Sequence, residues 1–251
     1  MKILSISKST FKEAVRDRIF IVLLAFGCIF IGLTIFLGSL SLGENATIMR
    51  DFGLAGIYLF TIITAIFSGT NVVGREIERG TSRVILSRPV SEAQFVAGKF
   101  LGLWSAIALV TISMTALFSI VMALQGFFFI SLFWPNLLLL FEVPLLIALS
   151  VLFGVLSSPL AGTMYTILIL FIGHSLSLLK IAAERSGGIW QLLGNGIYYA
   201  LPNLEKFNLR NTTFSTWNPE VTTIALPILY AILYSVILLW LSTLLLKIRE
   251  E

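Results

Sequence analysis

Apolar residues are concentrated in six long runs, separated by short polar segments. Each run is about 20 residues or longer, the length of helix needed to cross roughly 30 Å of hydrocarbon. The predicted spans are 19–42, 52–73, 100–124, 136–156, 160–179 and 221–246. Uninterrupted apolar runs favour helices, because the strands of a membrane barrel alternate apolar and polar residues. The pattern therefore predicts an all-α membrane protein with six transmembrane helices.

The composition excludes a soluble globular protein. Of the 251 residues, 57% are apolar and only 12% are charged, whereas soluble domains carry about 25% charged residues. A soluble fold of this size would need more charge to cover its surface. We therefore expect a single membrane domain over residues 1–251.

Lysines and arginines are distributed unevenly between the two sides of the predicted bundle. Of the 17 in the chain, twelve lie before the first span, between spans two and three, or after span six, and five lie on the opposite side. Cytoplasmic segments carry the excess of basic residues, so both termini are predicted to be cytoplasmic. The net charge of +4 reflects this topology and requires no nucleic-acid partner.

Residues 1–18 are predicted to form an amphipathic helix at the membrane surface. Phe11, Ala14, Val15 and Arg18 recur at spacings of three and four, and charged residues occupy the other face. Such a helix lies in the interface of the lipid bilayer, with its basic groups near anionic lipid heads. A plain basic anchor that sets the topology is equally consistent with the pattern.

The predicted cytoplasmic loop 74–99 has structural features of its own. Residues 75–79 form a short charged helical extension, and Gly80 ends it, as glycines do just beyond a helix C-terminus. Ser91 and Gln94 match a capping box that opens the next helix. A connection with this much predicted structure is typical of a docking element.

The sequence of this loop resembles that of the permease subunits of ABC-2 type transporters. The matching residues are Glu78-Arg79-Gly80-Thr81, Leu86, Pro89, Ser91 and Gly98-Lys99. The N-terminal segment TFKEAVRDRIF and the outer segment YYALPNLEKFN resemble the corresponding parts of the same family. Within the family, the chain is most similar to the permeases grouped with the nitrous-oxide-reductase maturation transporter.

The resemblance implies a permease subunit that forms the translocation path of an exporter. A separate cytoplasmic ABC ATPase would bind ATP and Mg. The chain would form a homodimer in a bacterial inner membrane, with an accessory protein on the outer side as a further partner. The loop would supply a coupling helix that contacts the ATPase. Its candidate coupling residues are Glu76, Glu78, Arg79, Gly80, Thr81, Leu86 and Pro89.

The predicted outer segment 180–220 is long for a connection and contains an aromatic, apolar stretch around Trp190 and Tyr199. Connections of this length usually have secondary structure, and the resemblance implies short helices that turn back toward the bilayer and cap the path. An aromatic belt at the membrane interface explains the same residues.

The motifs of hydrolytic enzymes are absent from the sequence. The only Gly-Lys pair, Gly98-Lys99, has Ala93 where the first glycine of a phosphate-binding loop would stand. Neither an HExxH zinc motif nor a GxSxG nucleophile motif occurs. We therefore interpret the chain as a non-enzymatic subunit without a cofactor of its own, and we expect ATP hydrolysis in a partner chain.

Two polar residues lie inside predicted spans. Glu142 lies about two turns from the outer end of span four, and a carboxylate inside a membrane costs a few kcal/mol unless it is paired or hydrated. It is a candidate path-lining group, with a structural role near the interface as the other interpretation. We interpret His174, near the outer end of span five, as a hydrogen-bonded structural residue in preference to a metal or proton site.

A channel or secondary transporter is the alternative function. Such proteins usually carry more intramembrane charge, or helices broken by glycine and proline in related halves. Only Glu142 fits the first description, and no related halves are visible. A lipid-modifying membrane enzyme is a third hypothesis, which the absence of a catalytic motif disfavours.

Overall fold

The computed structural model describes residues 2–39, 45–78, 91–127, 132–186, 188–209 and 220–250, and all regular structure in these ranges is helical. The α-helices are α1 Lys2–Arg16, α2 Arg18–Ser39, α3 Asn45–Glu78, α4 Glu92–Leu124, α5 Phe133–Leu156, α6 Pro159–Ser186, α7 Gly188–Ala200 and α8 Val221–Glu250, with a 3-10 helix at Leu204–Phe207. Six of them, α2 to α6 and α8, are long and apolar enough to cross a membrane. The prediction of an all-α membrane protein with six transmembrane helices is confirmed.

Several of these helices extend beyond the predicted spans. Helix α3 begins at Asn45, seven residues before the predicted start, and is described to Glu78, while α4 begins at Glu92. Polar residues end an apolar run without ending a helix, because the helical hydrogen bonds form equally well outside the hydrocarbon. Residues 74–78 and 92–99 of the predicted loop are therefore helical.

Helix α5 occupies the centre of the bundle. Of its most apolar 18-residue stretch, 78% is buried, against 22% for α2, α6 and α8. Its main neighbours are α3 and α8. The α3 and α5 backbones approach closely at Gly154, where an added Cβ would lie 2.8 Å from the carbonyl oxygen of Thr70. Small residues allow such close approach between membrane helices.

At two points the regular backbone hydrogen bonding of a helix is interrupted, and other groups of the protein supply the missing hydrogen bond. Pro144 in α5 has no N–H to donate to the carbonyl of Leu140, and the indole N–H of Trp104 on α4 donates to that carbonyl at 3.2 Å. Helix α4 ends where Gly126 adopts φ 80° and Phe127 N–H donates to the carbonyl of Met122 at 2.9 Å. Unsatisfied backbone groups are costly in a bilayer, so these contacts stabilise both helices.

Helix α1 packs against α4 at the end of the bundle that also carries Glu78 and the C-terminal part of α8; we call this the inner end, and the opposite end the outer end. Thr10 and Ala14 are its buried residues. Thr10 faces Gly102 of α4, where an added Cβ would lie 2.7 Å from the Thr10 Cβ and 2.4 Å from the carbonyl oxygen of Ser7. Ile6 faces Gly98, where an added Cβ would lie 2.7 Å from the Ile6 Cβ. The two glycines therefore form the surface on which α1 docks.

The predicted face of the N-terminal helix needs correction. Helix α1 ends at Arg16, so Arg18 belongs to α2, and Val15 is 37% exposed whereas Thr10 is buried. The prediction selected positions by their spacing of three and four alone. The packed face is instead determined by contact with the glycines of α4, where Thr10 meets Gly102 and Ile6 meets Gly98.

Candidate functional site

Four polar side chains from four separate elements meet near the outer end of the bundle. The hydroxyl of Tyr58 on α3 donates to Glu142 Oε1 on α5 at 3.0 Å and lies 2.6 Å from His174 Nε2 on α6. His174 Nε2 is 3.2 Å from Glu142 Oε1, and its Nδ1 is 3.3 Å from Oε2 of Glu205 in the 3-10 helix. We call Tyr58, Glu142, His174 and Glu205 the outer cluster.

Asn208 completes the hydrogen bonding of this cluster. Its side-chain N–H group donates to Glu205 Oε1 at 3.0 Å, so both carboxylate oxygens of Glu205 have a partner. The ring nitrogens of His174 donate or accept according to the tautomer. The Tyr58 hydroxyl has one proton, so it donates either to Glu142 or to His174 Nε2 and not to both at once.

Glu142 is the most buried member of the outer cluster. Its side chain is 2% exposed, against 22% for His174 and 41% for Glu205. Pro144 interrupts the helical hydrogen bonding two residues further along α5, but the freed carbonyl of Leu140 is bonded by Trp104. The carboxylate is satisfied by protein groups from α3 and α6, as a buried polar group must be.

A largely apolar cavity of about 540 Å³ lies between α3 and α6. Tyr58, His174, Glu205 and Asn208 line its outer end, and apolar side chains line the remainder toward the middle of the bundle. Glu142 does not line the cavity and lies behind Tyr58 and His174. The structure thus places the predicted path-lining carboxylate one side chain away from the open space.

A second polar group lies at the inner end. The ammonium of Lys99 on α4 is 2.6 Å from Glu76 Oε1 on α3 and 3.5 Å from Glu13 Oε2 on α1. The Lys99 side chain is only 7% exposed. A cavity of about 320 Å³ between α1 and α3 opens beside this group, which we call the inner triad. It joins the helix before the predicted loop, the helix after it, and α1.

A family comparison identifies the class of transporter. The model of the ABC-2 family transporter protein matches residues 4–250. The chain belongs to the ABC-2 transporter family. No curated protein matches the chain. As an ABC-2 permease, it is a membrane component of transport and has no catalytic role of its own.

The candidate coupling residues of this ABC-2 permease are placed only in part. Glu76 belongs to the inner triad, and Glu78 is exposed at the last described residue of α3. The other five candidates, Arg79, Gly80, Thr81, Leu86 and Pro89, lie outside the described residues. The predicted capping box is present, with Ser91 Oγ accepting from Gln94 N–H at 3.3 Å and the Gln94 side chain accepting from Ser91 N–H.

The outer segment of the permease contains helix α7 and the 3-10 helix. Helix α7 turns back from α6 after Gly188, which has φ 56°, and packs so closely that a Cβ on Gly194 would lie 2.2 Å from the Cβ of Ala183. Ile189 and Trp190 remain well exposed on its surface. The expected short helices are present, and the interpretation of their aromatic side chains as a belt or a cap stays open.

Sequence reasoning missed four members of these two groups as site residues, namely Tyr58, Glu205, Lys99 and Glu13. Tyr58 is an aromatic residue within an apolar run and carries no feature that separates it from lipid-facing aromatics. Glu205 is an acid within the apolar segment YYALPNLEKFN, which could have marked it. Lys99 lies between Gly98 and Gly102. Small residues in this pattern indicate a close contact with another helix, and a cation within that contact needs a group of opposite charge nearby.

Removing the Glu142 carboxylate tests the outer cluster. Glu142→Leu is expected to lower the free energy of unfolding by about 1–2 kcal/mol, because Tyr58 and His174 each lose a hydrogen-bond partner inside the membrane. Glu142→Gln keeps an acceptor oxygen and should lose less. The measurement is denaturant unfolding of the purified protein in detergent.

Ser150→Ala is a matched control for this series. Ser150 is also buried on α5, but its hydroxyl donates only to the carbonyl of Leu146 in its own helix. Its removal should leave stability nearly unchanged. Equal stability of Glu142→Leu and Ser150→Ala would show that the outer cluster contributes nothing to the fold.

Proposed function

We propose that the chain is the permease subunit of an ATP-driven exporter. Two copies would form the translocation path in a bacterial inner membrane, with both termini cytoplasmic and each copy docked on a separate ABC ATPase that binds ATP and Mg. The resemblance to permeases of the nitrous-oxide-reductase maturation group makes an accessory protein on the outer side a further proposed partner.

The observation that carries the proposal is that α3 belongs to both polar groups. Glu76, near its inner end, belongs to the inner triad, and Tyr58, 18 residues earlier, belongs to the outer cluster. At 1.5 Å per residue the two positions are about 27 Å apart along one continuous helix. A displacement of the inner end is therefore transmitted to the outer cluster without an intervening flexible joint.

The inner triad is suited to receive such a displacement. The predicted coupling residues 79–90 connect α3 to α4, and Lys99 binds Glu76 across that connection and also contacts Glu13 of α1. Closure of the ATPase pair would push on residues 79–90, and α1, α3 and α4 would move as one unit. At the outer end, the hydrogen bonds of Tyr58 with Glu142 and His174 would then break or form again, as contacts do in other proteins that switch between two conformations.

A second copy of the chain is proposed to cover part of the exposed helical surface. Helices α2, α6 and α8 each bury only 22% of their most apolar stretch. In a single chain the rest of that surface would face lipid. Pairing would place the cavities of two chains in one assembly, which is the arrangement that a shared path requires.

A secondary transporter remains the second candidate, and the outer cluster favours it. Ionisable side chains inside membrane proteins often belong to ion or proton pathways, and Glu142 with His174 forms such a pair. Transport into inverted vesicles separates the two functions. ATP dependence supports the ABC permease, and transport driven by a proton gradient without ATP supports the alternative.

Charge reversal at Glu78 tests the docking of the ATPase. Glu78→Arg is expected to reduce the ATPase that copurifies with the tagged permease by roughly tenfold, because interfacial charges determine register and partner choice. A basic residue near a helix C-terminus is favourable, so α3 should stay intact. The measurement is Mg-dependent ATP hydrolysis in the affinity-purified fraction, with mass spectrometry of the bound protein.

Glu220→Arg is the matched control, because it makes the same reversal just before α8 at the outer end. It should leave copurified ATPase unchanged. Wild-type amounts of ATPase with Glu78→Arg would contradict the docking role of this residue. ATP hydrolysis by the permease chain alone, freed of other proteins, would contradict the assignment of a separate ATPase.

A further inference from the structure

The cavity between α3 and α6 combines an apolar body with a polar end. Its volume of about 540 Å³ is in the range of small-molecule sites, roughly 300–1,000 Å³. Apolar side chains from both helices form its walls: Leu59, Ile62, Ile63, Ile66, Leu170 and Phe171. A ligand that fits this space has a compact apolar body and one polar group at its outer end.

Acidic groups outnumber basic ones at the polar end. Two carboxyl groups, those of Glu142 and Glu205, contact one imidazole, that of His174. The Glu205 side chain is 41% exposed, and its partner Asn208 is an uncharged donor. A carboxylate has about four acceptor sites, which leaves Glu205 able to accept from a ligand as well.

The nearest lysines do not line this space. The ammonium of Lys206 lies over the ring of Tyr230, 4.3 Å from its centroid, and that of Lys180 lies over Tyr198 at 4.7 Å. Neither lysine belongs to the lining of the cavity. Neither of these two lysines therefore places its ammonium at the carboxylate of Glu205 inside the cavity.

We propose that this cavity binds an organic cation with an apolar body, its positive group held at Glu205 and its body between α3 and α6. This inference rests on the proposed function, since it names the substrate class of that permease. Charge complementarity selects the sign of the ligand, and the apolar walls provide most of the contact area. A neutral or anionic ligand of the same shape fits the walls but not the carboxylate.

Two ions of the same shape and opposite charge test the proposal. Tetraphenylphosphonium and tetraphenylborate are compared by equilibrium dialysis against the purified full chain in detergent, with empty micelles subtracted. The cation is expected to bind roughly tenfold or more tightly than the anion, because a carboxylate lies at the binding position. Equal affinities for the two ions would overturn the proposal.

Matched variants locate the binding position. Glu205→Gln should remove most of the preference for the cation, while Glu184→Gln, the same change at an exposed carboxylate further along α6, should keep it. Ile63→Trp fills the cavity and should weaken binding of both ions. Equal losses with the two Glu→Gln variants, or undiminished cation binding by Ile63→Trp, would place the site elsewhere.

The experiment separates this proposal from the proposed function. Binding is measured on the permease chain alone, without ATPase. Selective cation binding supports the proposed site even if no ATPase copurifies with the chain. Equal binding of both ions contradicts the proposed site even if an ATPase does copurify.

Discussion

Replacing Lys99 by methionine is expected to lower the free energy of unfolding by about 3 kcal/mol, the low end of the range for breaking a buried ion pair. The low end applies because the Glu76 side chain keeps 20% exposure. Methionine matches the length of the lysine chain but leaves the Glu76 and Glu13 carboxylates without this cation. Denaturant unfolding of the purified protein in detergent measures the loss.

A double variant separates charge from packing in this prediction. Lys99→Met combined with Glu76→Leu should regain most of the lost stability, because replacing both members of a buried ion pair by apolar residues is often neutral. Lys12→Met removes an exposed lysine from α1 and should change little. A double variant that is less stable than Lys99→Met alone would contradict the ion-pair explanation.

The same substitution has a functional consequence under the proposed mechanism. Lys99→Met removes the ion pair with Glu76 that joins α3, before the predicted coupling segment, to α4, after it. Copurified ATPase should then hydrolyse ATP at a rate that no longer responds to a transported substrate. The double variant should recover stability but not this response, because the connection is still absent.

Adding one methyl group at Gly102 is expected to displace α1 from the bundle. The Cβ of Gly102→Ala would lie 2.4 Å from the carbonyl oxygen of Ser7 and 2.7 Å from the Cβ of Thr10. Both atoms belong to or adjoin the α1 backbone, so no side-chain rotation relieves the contact. The expected loss is about 3 kcal/mol, the upper end for overpacking, with faster hydrogen exchange of the amides of α1.

Gly32→Ala is the matched control, because no atom lies within 4 Å of the Cβ position of Gly32 in α2. Alanine is the better helix former by roughly 1 kcal/mol, so this variant should be at least as stable as the wild type. The two substitutions are therefore expected to change stability in opposite directions. Equal effects, or unchanged exchange in α1, would show that α1 does not dock on Gly102.

Local sequence features were sufficient for the elements of this fold. Apolar runs of about 20 residues identify transmembrane helices because the bilayer core requires that length. The capping box at Ser91 was equally readable, since its two hydrogen bonds join residues three positions apart. The same loop carried the resemblance to ABC-2 permeases, which the family match over residues 4–250 supports. Each of these features depends on residues that are close together in the chain.

The candidate site depended on contacts between distant residues. Tyr58 meets Glu142 across 84 positions and His174 across 116, and Lys99 meets Glu76 across 23. No local pattern selects such partners, because the bundle arrangement determines which faces meet. Glu142 and His174 were recognisable as unusual residues in apolar runs, but their mutual contact and the role of Tyr58 were not.

The sequence by itself determined that this chain is a six-span, all-α membrane protein, because hydropathy and capping act over one helix at a time. Only the tertiary structure decided that α1 docks through Ile6 and Thr10 on Gly98 and Gly102 of α4. It also decided that the polar residues of the spans gather beside a cavity between α3 and α6. Packing between helices depends on the shape of both surfaces, and neither surface is readable from its own segment alone.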